Sequence, residues 1–177
     1  MGILYALHRL DMRLFSLVFS GGERRLVRPL AKALSRSADG YLCALLPALL
    51  WSVDAAAAAD LTLLLGCSLA LERALYWPLK NGLRRRRPQE SLPGFSSLVT
   101  AGDRFSFPSG HTSVAFLLAT CLAIIYGQGA TTMYLWASCV GLSRVVLGVH
   151  YPGDTLAGAL MGSAVACLTA TQLGLLQ

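Results

Sequence analysis

The chain has 177 residues, 55% of them hydrophobic and 14% charged. A soluble domain carries about 25% charged residues, so the composition argues against a soluble enzyme and for one integral membrane domain. The net charge of +6 is crowded into residues 9–36 and 80–87, which fits anionic head groups or a phosphate substrate rather than nucleic acid.

Residues 1–36 read as amphipathic helices lying in the membrane interface. Leu4, Leu7, Leu10, Leu14, Phe15 and Val18 recur at roughly helical spacing among His8, Arg9, Asp11 and Arg13. Leu26, Val27, Leu30 and Leu34 do the same beside Arg24, Arg25, Arg28, Lys32 and Arg36. The alternative makes residues 3–20 a sixth span, against which the frequent charges weigh. The same charges interrupt any signal-peptide core.

The remainder, residues 37–177, reads as a polytopic transmembrane helical bundle, all-α. Five stretches approach the roughly 17–25 residues that cross hydrocarbon. They lie near 41–57, 61–79, 111–128, 130–148 and 155–176. An alanine run between Asp54 and Asp60 predicts a tight hairpin between the first two, and Gln128-Gly129 a second tight turn. Residues 80–110 form the longest connection, polar and basic, and long ordered loops usually carry function. Five spans place this loop, residues 149–154 and the N-terminal helices on one membrane face. Cys43, Cys67, Cys121, Cys139 and Cys167 all fall in apolar stretches without ligand spacing, so they read as small hydrophobes rather than a disulfide or metal framework.

Three stretches carry chemistry. In Phe107-Pro108-Ser109-Gly110-His111, the serine sits where a helix starts and reads as its N-cap. Free N–H groups there make an anion site, Gly110 allows close backbone approach, and His111 falls in the first turn. The plain alternative is an ordinary cap with a surface histidine. Ser143-Arg144 closes the fourth apolar stretch and His150 opens the fifth, with Pro152 suited to a first turn and Asp154 four residues past His150. A carboxylate on one ring nitrogen fixes the tautomer and frees the other as a nucleophile; the alternative is a capped helix with a neutral polar pair. Lys80 and Arg87-Pro88 flank the run Arg84–Arg87, either a lipid-head-group signal or a set of phosphate forks.

Together these stretches follow the pattern Lys-x6-Arg-Pro, Pro-Ser-Gly-His and Ser-Arg-x5-His-x3-Asp, with all spacings and the order matching. The chain thereby resembles the type 2 phosphatidic acid phosphatase superfamily, which includes lipid phosphate phosphatases and vanadium-dependent haloperoxidases. The resemblance covers residues 80–154 strictly. It implies that His150 is the nucleophile forming a phosphohistidine, that Asp154 orients it, and that His111 is the general acid. Lys80, Arg87, Ser109, Gly110 and Arg144 would hold the phosphate oxygens, with no metal or other cofactor implied. The expected activity is hydrolysis of the terminal phosphate of a membrane lipid phosphate or lipid pyrophosphate. A lipid phosphotransferase using the same phosphohistidine is one rival. A non-catalytic lipid-binding membrane protein is another, against which the presence of both histidines and Asp154 weighs.

The resemblance also implies a bacterial plasma membrane, with the site on its periplasmic or extracellular face. Charge bias argues the opposite, since nearly every Lys and Arg lies on the motif face and basic loops are usually cytoplasmic. Arg73 is the exception, paired in sequence with Glu72 inside the second span and read as an internal or snorkelling ion pair. Gly158 and Gly162, four apart, predict close helix packing, most economically within the bundle. Oligomeric state has no signature in the sequence.

Overall fold

The computed structural model describes residues 2–21 and 26–176. Arg24 and Arg25 of the second amphipathic pattern lie outside the described residues, as do the side chains of Leu4 and Leu7. In chain order the α-helices are α1 (Gly2–Gly21), α2 (Val27–Ser37), α3 (Tyr41–Leu50), α4 (Ala55–Leu83), α5 (Pro88–Ser91), α6 (Gly110–Tyr126), α7 (Met133–Val146) and α8 (Pro152–Gln172). A short 3₁₀ turn, Gly127–Ala130, joins α6 to α7. Among the described residues there is no strand, and the fold is a polytopic helical bundle.

The five apolar stretches all form helices, with shifted ends. α4, α6 and α8 are long and apolar enough to cross a membrane, whereas α3 and α7 are shorter apolar helices of 10 and 14 residues. The first stretch ends early, at Leu50, and the alanine run belongs to α4 instead of the hairpin turn. Asp54 decides this: its carboxylate accepts the Ala57 N–H at 3.0 Å, and alanines then propagate the helix. α4 also runs past Pro78, so Lys80 sits in its last turn rather than in the loop.

The bundle is apolar outside and holds its polar groups within. Leu63, Leu135, Leu142, Leu156, Leu160 and Leu168 are all more than half exposed, while Glu72, Lys80, Arg87, Ser109, His150 and Asp154 are buried. That inversion suits a hydrocarbon surround, in which lipid tails drive no helix association and small residues set the contacts. α8 accordingly lies on α6 through glycines. A Cβ on Gly158 would stand 2.5 Å from the Ser109 carbonyl oxygen, and one on Gly162 would stand 2.0 Å from that of Ser113. The glycine pair packs within the bundle. Below it, Leu61, Leu64 and Leu65 of α4 meet Leu117, Leu118 and Cys121 of α6 and Val165 and Ala166 of α8.

Glu72 is fully buried in α4. It accepts two hydrogen bonds from Arg73, at 2.5 and 2.9 Å, and one from Ser113 at 2.7 Å, so the expected internal ion pair is present. α2 packs on α7 with Ala31 and Ser35 buried, while Leu26 and Leu30 of its apolar pattern face outward. α1 lies against α7 and α8, inserting Phe15 beside Val145 and Tyr151. All five cysteines are free thiols.

Candidate active site

The end of α4, the start of α6, the end of α7 and the start of α8 meet at one end of the bundle. They bring all three sequence stretches together there. A backbone hydrogen bond joins the second stretch to the third: the Ser109 N–H donates to the Asp154 carbonyl at 3.0 Å.

His150 lies between α7 and α8 and is 2% exposed. Gly148, at φ +76°, turns the chain just before it, in a conformation that other residues rarely adopt. Pro152 and Asp154 then open α8, and the Asp154 carboxylate caps the helix by accepting the Tyr151 N–H at 2.9 Å. The same oxygen lies 3.6 Å from His150 Nδ1. That is within ion-pair reach but longer than a hydrogen bond. On the other side of the ring, Nε2 lies 3.4 Å from Arg87 Nη1. Burial, and then the charges of Arg87 and Arg144, lower the His150 pKa to about 4 despite the opposing pull of Asp154. The imidazole is therefore neutral at pH 7, with a lone pair available.

Lys80 and Arg87 share a counter-ion that sequence reasoning missed. Asp103, in the loop before α6, lies 2.9 Å from Lys80 Nζ and pairs with Arg87 Nη2 through its other oxygen. Its backbone carbonyl accepts Arg87 Nε at 3.1 Å, and its carboxylate accepts the Tyr76 hydroxyl at 2.8 Å. Burial works to raise the Asp103 pKa, but these hydrogen bonds and charges outweigh it and hold the carboxyl below its usual range. Lys80 also donates to Tyr76 at 2.6 Å and to the Pro108 carbonyl at 3.3 Å. The latter contact places the ammonium beside the Ser109-Gly110 turn. Gly110 lets Tyr76 lie close, since a Cβ there would stand 3.0 Å from the Tyr76 hydroxyl oxygen and press on its ring.

Ser109 occupies the N-cap position of α6, as expected, but its hydroxyl pairs with Thr112 at 3.0 Å instead of capping the helix. His111 falls in the first turn, with Nε2 2.9 Å from Asp39. Arg144 is 6% exposed and donates Nη1 to Ser35. Its Nε has no partner among the described residues. The four consecutive arginines divide their tasks. Arg84 and Arg86 are exposed and Arg87 is buried. Arg85 donates to Asp154 at 2.7 Å and to Asp11 of α1 at 2.5 Å. Asp103, Arg85, Asp39 and Ser35 escaped sequence reading because each meets the site through the fold rather than through a spacing, whereas Tyr76, four residues before Lys80 on α4, carried a helical spacing that could have found it.

A neutral histidine facing a guanidinium on one side and a carboxylate on the other, beside Lys80 and a helix N-terminus, is suited to attack on a tetrahedral oxyanion. The chain is similar to the lipid A 4'-phosphatase of Bacteroides thetaiotaomicron, at 35% identity over 89 residues, 48% of this chain and 40% of that one. The chain thus spans less than half the length of that relative. Among solved structures, Aquifex aeolicus LpxE superposes with a TM-score of 0.75 at 26% identity, covering 92% of this chain and 95% of that one. A phosphatidylglycerolphosphate phosphatase from Bacillus subtilis superposes at 0.74 and 22% identity, covering 97% of this chain and 88% of that one, a likeness of fold alone. The PAP2 superfamily model matches residues 61–176, which hold every one of the three stretches, and the chain belongs to that superfamily.

Proposed function

We propose that this chain is a membrane phosphatase that removes the terminal phosphate of a lipid phosphate through a phosphohistidine at His150. The observation that carries the reading is the setting of His150: buried, neutral, with Asp154 on the Nδ1 side and Arg87 on the Nε2 side. Nε2 attacks phosphorus. Lys80, Arg87 and Arg144, with Ser109 and the Gly110 N–H, take up the charge on the equatorial oxygens. The P–O bond to the lipid breaks, and His111 gives its proton to the departing oxygen. Water, passing a proton to His111, then attacks the phosphohistidine; the N–P bond breaks, inorganic phosphate leaves, and both histidines are restored. With three cations assigned to the phosphate oxygens, this scheme requires no metal.

The lipid A 4'-phosphatase relative is named for a lipid substrate, and the outward leucines of this bundle support a membrane setting for the reading. On this reading α1 and α2 lie in the interface and residues 37–177 form the phosphatase domain. The site faces the periplasm or the cell exterior, where Lys and Arg serve anionic substrate rather than topology.

The test uses purified protein in detergent with EDTA and a panel of lipid phosphates. It should release inorganic phosphate from at least one, and alkaline quench should trap phosphate on histidine. His150→Ala removes the covalent route and should lower the rate by several orders of magnitude while the melting temperature holds. Retention of more than about a tenth of the activity in that variant would remove His150 from the mechanism.

A further inference from the structure

We propose that Lys32 and Arg36 of α2 hold a second phosphate of the substrate, so that the preferred substrate is a lipid diphosphate. The proposal rests on the phosphatase reading above and specifies its substrate class. A cavity of about 270 Å³ opens beside His111, and Lys32, Ser35, Arg36, Asp39 and Arg144 line it with that histidine. At about 30 Å³ per water it has the volume of roughly nine waters, ample for a phosphate group. Lys32 and Arg36 are four residues apart and therefore share one face of α2. Both are exposed, and neither has an ion-pair partner among the described residues. Arg144 on the facing wall is 6% exposed, and its Nε is likewise unpartnered among them. Asp39 is the acid among the lining residues, and its Oδ1 lies 2.9 Å from His111. With Arg144 given to the terminal phosphate, Lys32 and Arg36 against the one carboxylate of Asp39 still leave a positive excess in a confined space, and that excess favours a further anion.

The position of the excess distinguishes the substrates. The departing oxygen must lie beside His111, so whatever it carries extends into the cavity that His111 lines. In a monoester of an uncharged alcohol, such as a prenyl monophosphate, that portion is hydrocarbon, which has nothing to offer two cations. In a diphosphate it is the inner phosphate. His150 Nε2 bonds to the terminal phosphorus, and the bridging P–O bond breaks. The electron pair and bridging oxygen depart with the lipid monophosphate, steadied by Lys32 and Arg36. Water then cleaves the N–P bond to give inorganic phosphate.

The test measures kcat/KM in neutral detergent micelles on a prenyl diphosphate and on the prenyl monophosphate of the same chain length. It compares the protein with its Lys32→Gln/Arg36→Gln double variant, and a melting curve shows that the variant folds. The expected result is a loss at least tenfold greater on the diphosphate than on the monophosphate, tenfold corresponding to about 1.4 kcal/mol. Inorganic diphosphate should also inhibit the protein more strongly than phosphate does, and the variant should narrow that gap. Equal loss on both substrates, no loss on either, or a wild-type preference for the monophosphate overturns the second-phosphate site while leaving the phosphatase reading in place. A loss seen only in anionic vesicles, and not in neutral micelles, assigns the two cations to the bilayer and also overturns it. A wild-type protein inactive on both substrates and on the wider lipid panel overturns both readings.

Discussion

Gly162→Ala should cost both stability and turnover, because one methyl group there separates the two helices that build the site. The new Cβ would stand 2.0 Å from the Ser113 carbonyl oxygen and 3.0 Å from the Leu117 nitrogen. Both atoms are α6 backbone, which cannot rotate aside as a side chain can. Reaching an ordinary contact of 3.4 Å takes about 1.4 Å of separation between α8 and α6. Overpacking of this kind costs about 1–3 kcal/mol. The functional cost follows from what the helices carry. α6 begins with Ser109 and His111 and α8 with Asp154, joined by the 3.0 Å bond from the Ser109 N–H to the Asp154 carbonyl. Opening that gap displaces His111 from His150 by about 1 Å, and on the proposed mechanism a misplacement of that size costs roughly 10²-fold in rate. Gly66→Ala is the control, since nothing lies within 4 Å of its Cβ and alanine is the better helix former. The assay is thermal unfolding in detergent alongside phosphate release. A Gly162→Ala protein that melts and turns over like Gly66→Ala refutes the glycine contact as the element that fixes the site.

His111→Ala should lose about 10²–10⁴ in rate on a lipid monoester but much less on p-nitrophenyl phosphate, whose leaving group needs no proton. Equal loss on both would make His111 a binding group instead of an acid. Arg85→Gln should lower kcat about 10–100-fold with little change in KM. It leaves the buried Asp154 carboxylate without its 2.7 Å partner beside His150, in the way that removal of an outer-shell partner impairs a ligand; a variant that changes KM alone would place Arg85 on substrate. His150, with its pKa lowered to about 4, should be neutral at pH 5.5, and its ring resonances should titrate near 4. The sign for stability follows: a depressed histidine pKa contributes fully above the unfolded value of 6.5 and is lost as pH falls from there through 4. A midpoint near 6.5 would contradict the burial.

Hydrophobic length located the bundle, and local chemistry moved its boundaries. The stretch near 111–128 became Gly110–Tyr126 and that near 155–176 became Pro152–Gln172, because each is apolar throughout and starts at a Pro or Gly signal. The stretch near 61–79 grew to Ala55–Leu83, because its flanking alanines and Asn81 are hydropathically weak yet helix-compatible. Within the site, His150 and Asp154 were legible because they are four residues apart. His111 and Asp39 are 72 apart, Gly153 and Asp11 are 142 apart, and Arg144 and Ser35 are 109 apart. No periodicity encodes such pairs, so α1 and α2, placed on the motif face as amphipathic helices, could not be matched to particular residues of the site.

Those long-range partners share a purpose that the three stretches cannot serve by themselves. The stretches supply Lys80, Arg87 and Arg144, a cluster of positive charge costly to bury uncompensated. The rest of the chain compensates them. Asp103 neutralises Lys80 and Arg87, and Ser35 accepts from Arg144. Because its neighbours hold the Asp103 pKa below the usual carboxylate range, that counter-ion stays charged at any neutral pH. An arriving phosphate therefore competes with a carboxylate for Lys80 and Arg87 and meets no acid on Arg144, whose Nε has no partner among the described residues. The competition weakens ground-state binding. On the proposed mechanism it weakens the transition state less, since the trigonal bipyramid spreads its charge over three equatorial oxygens, which Lys80, Arg87 and Arg144 would contact together.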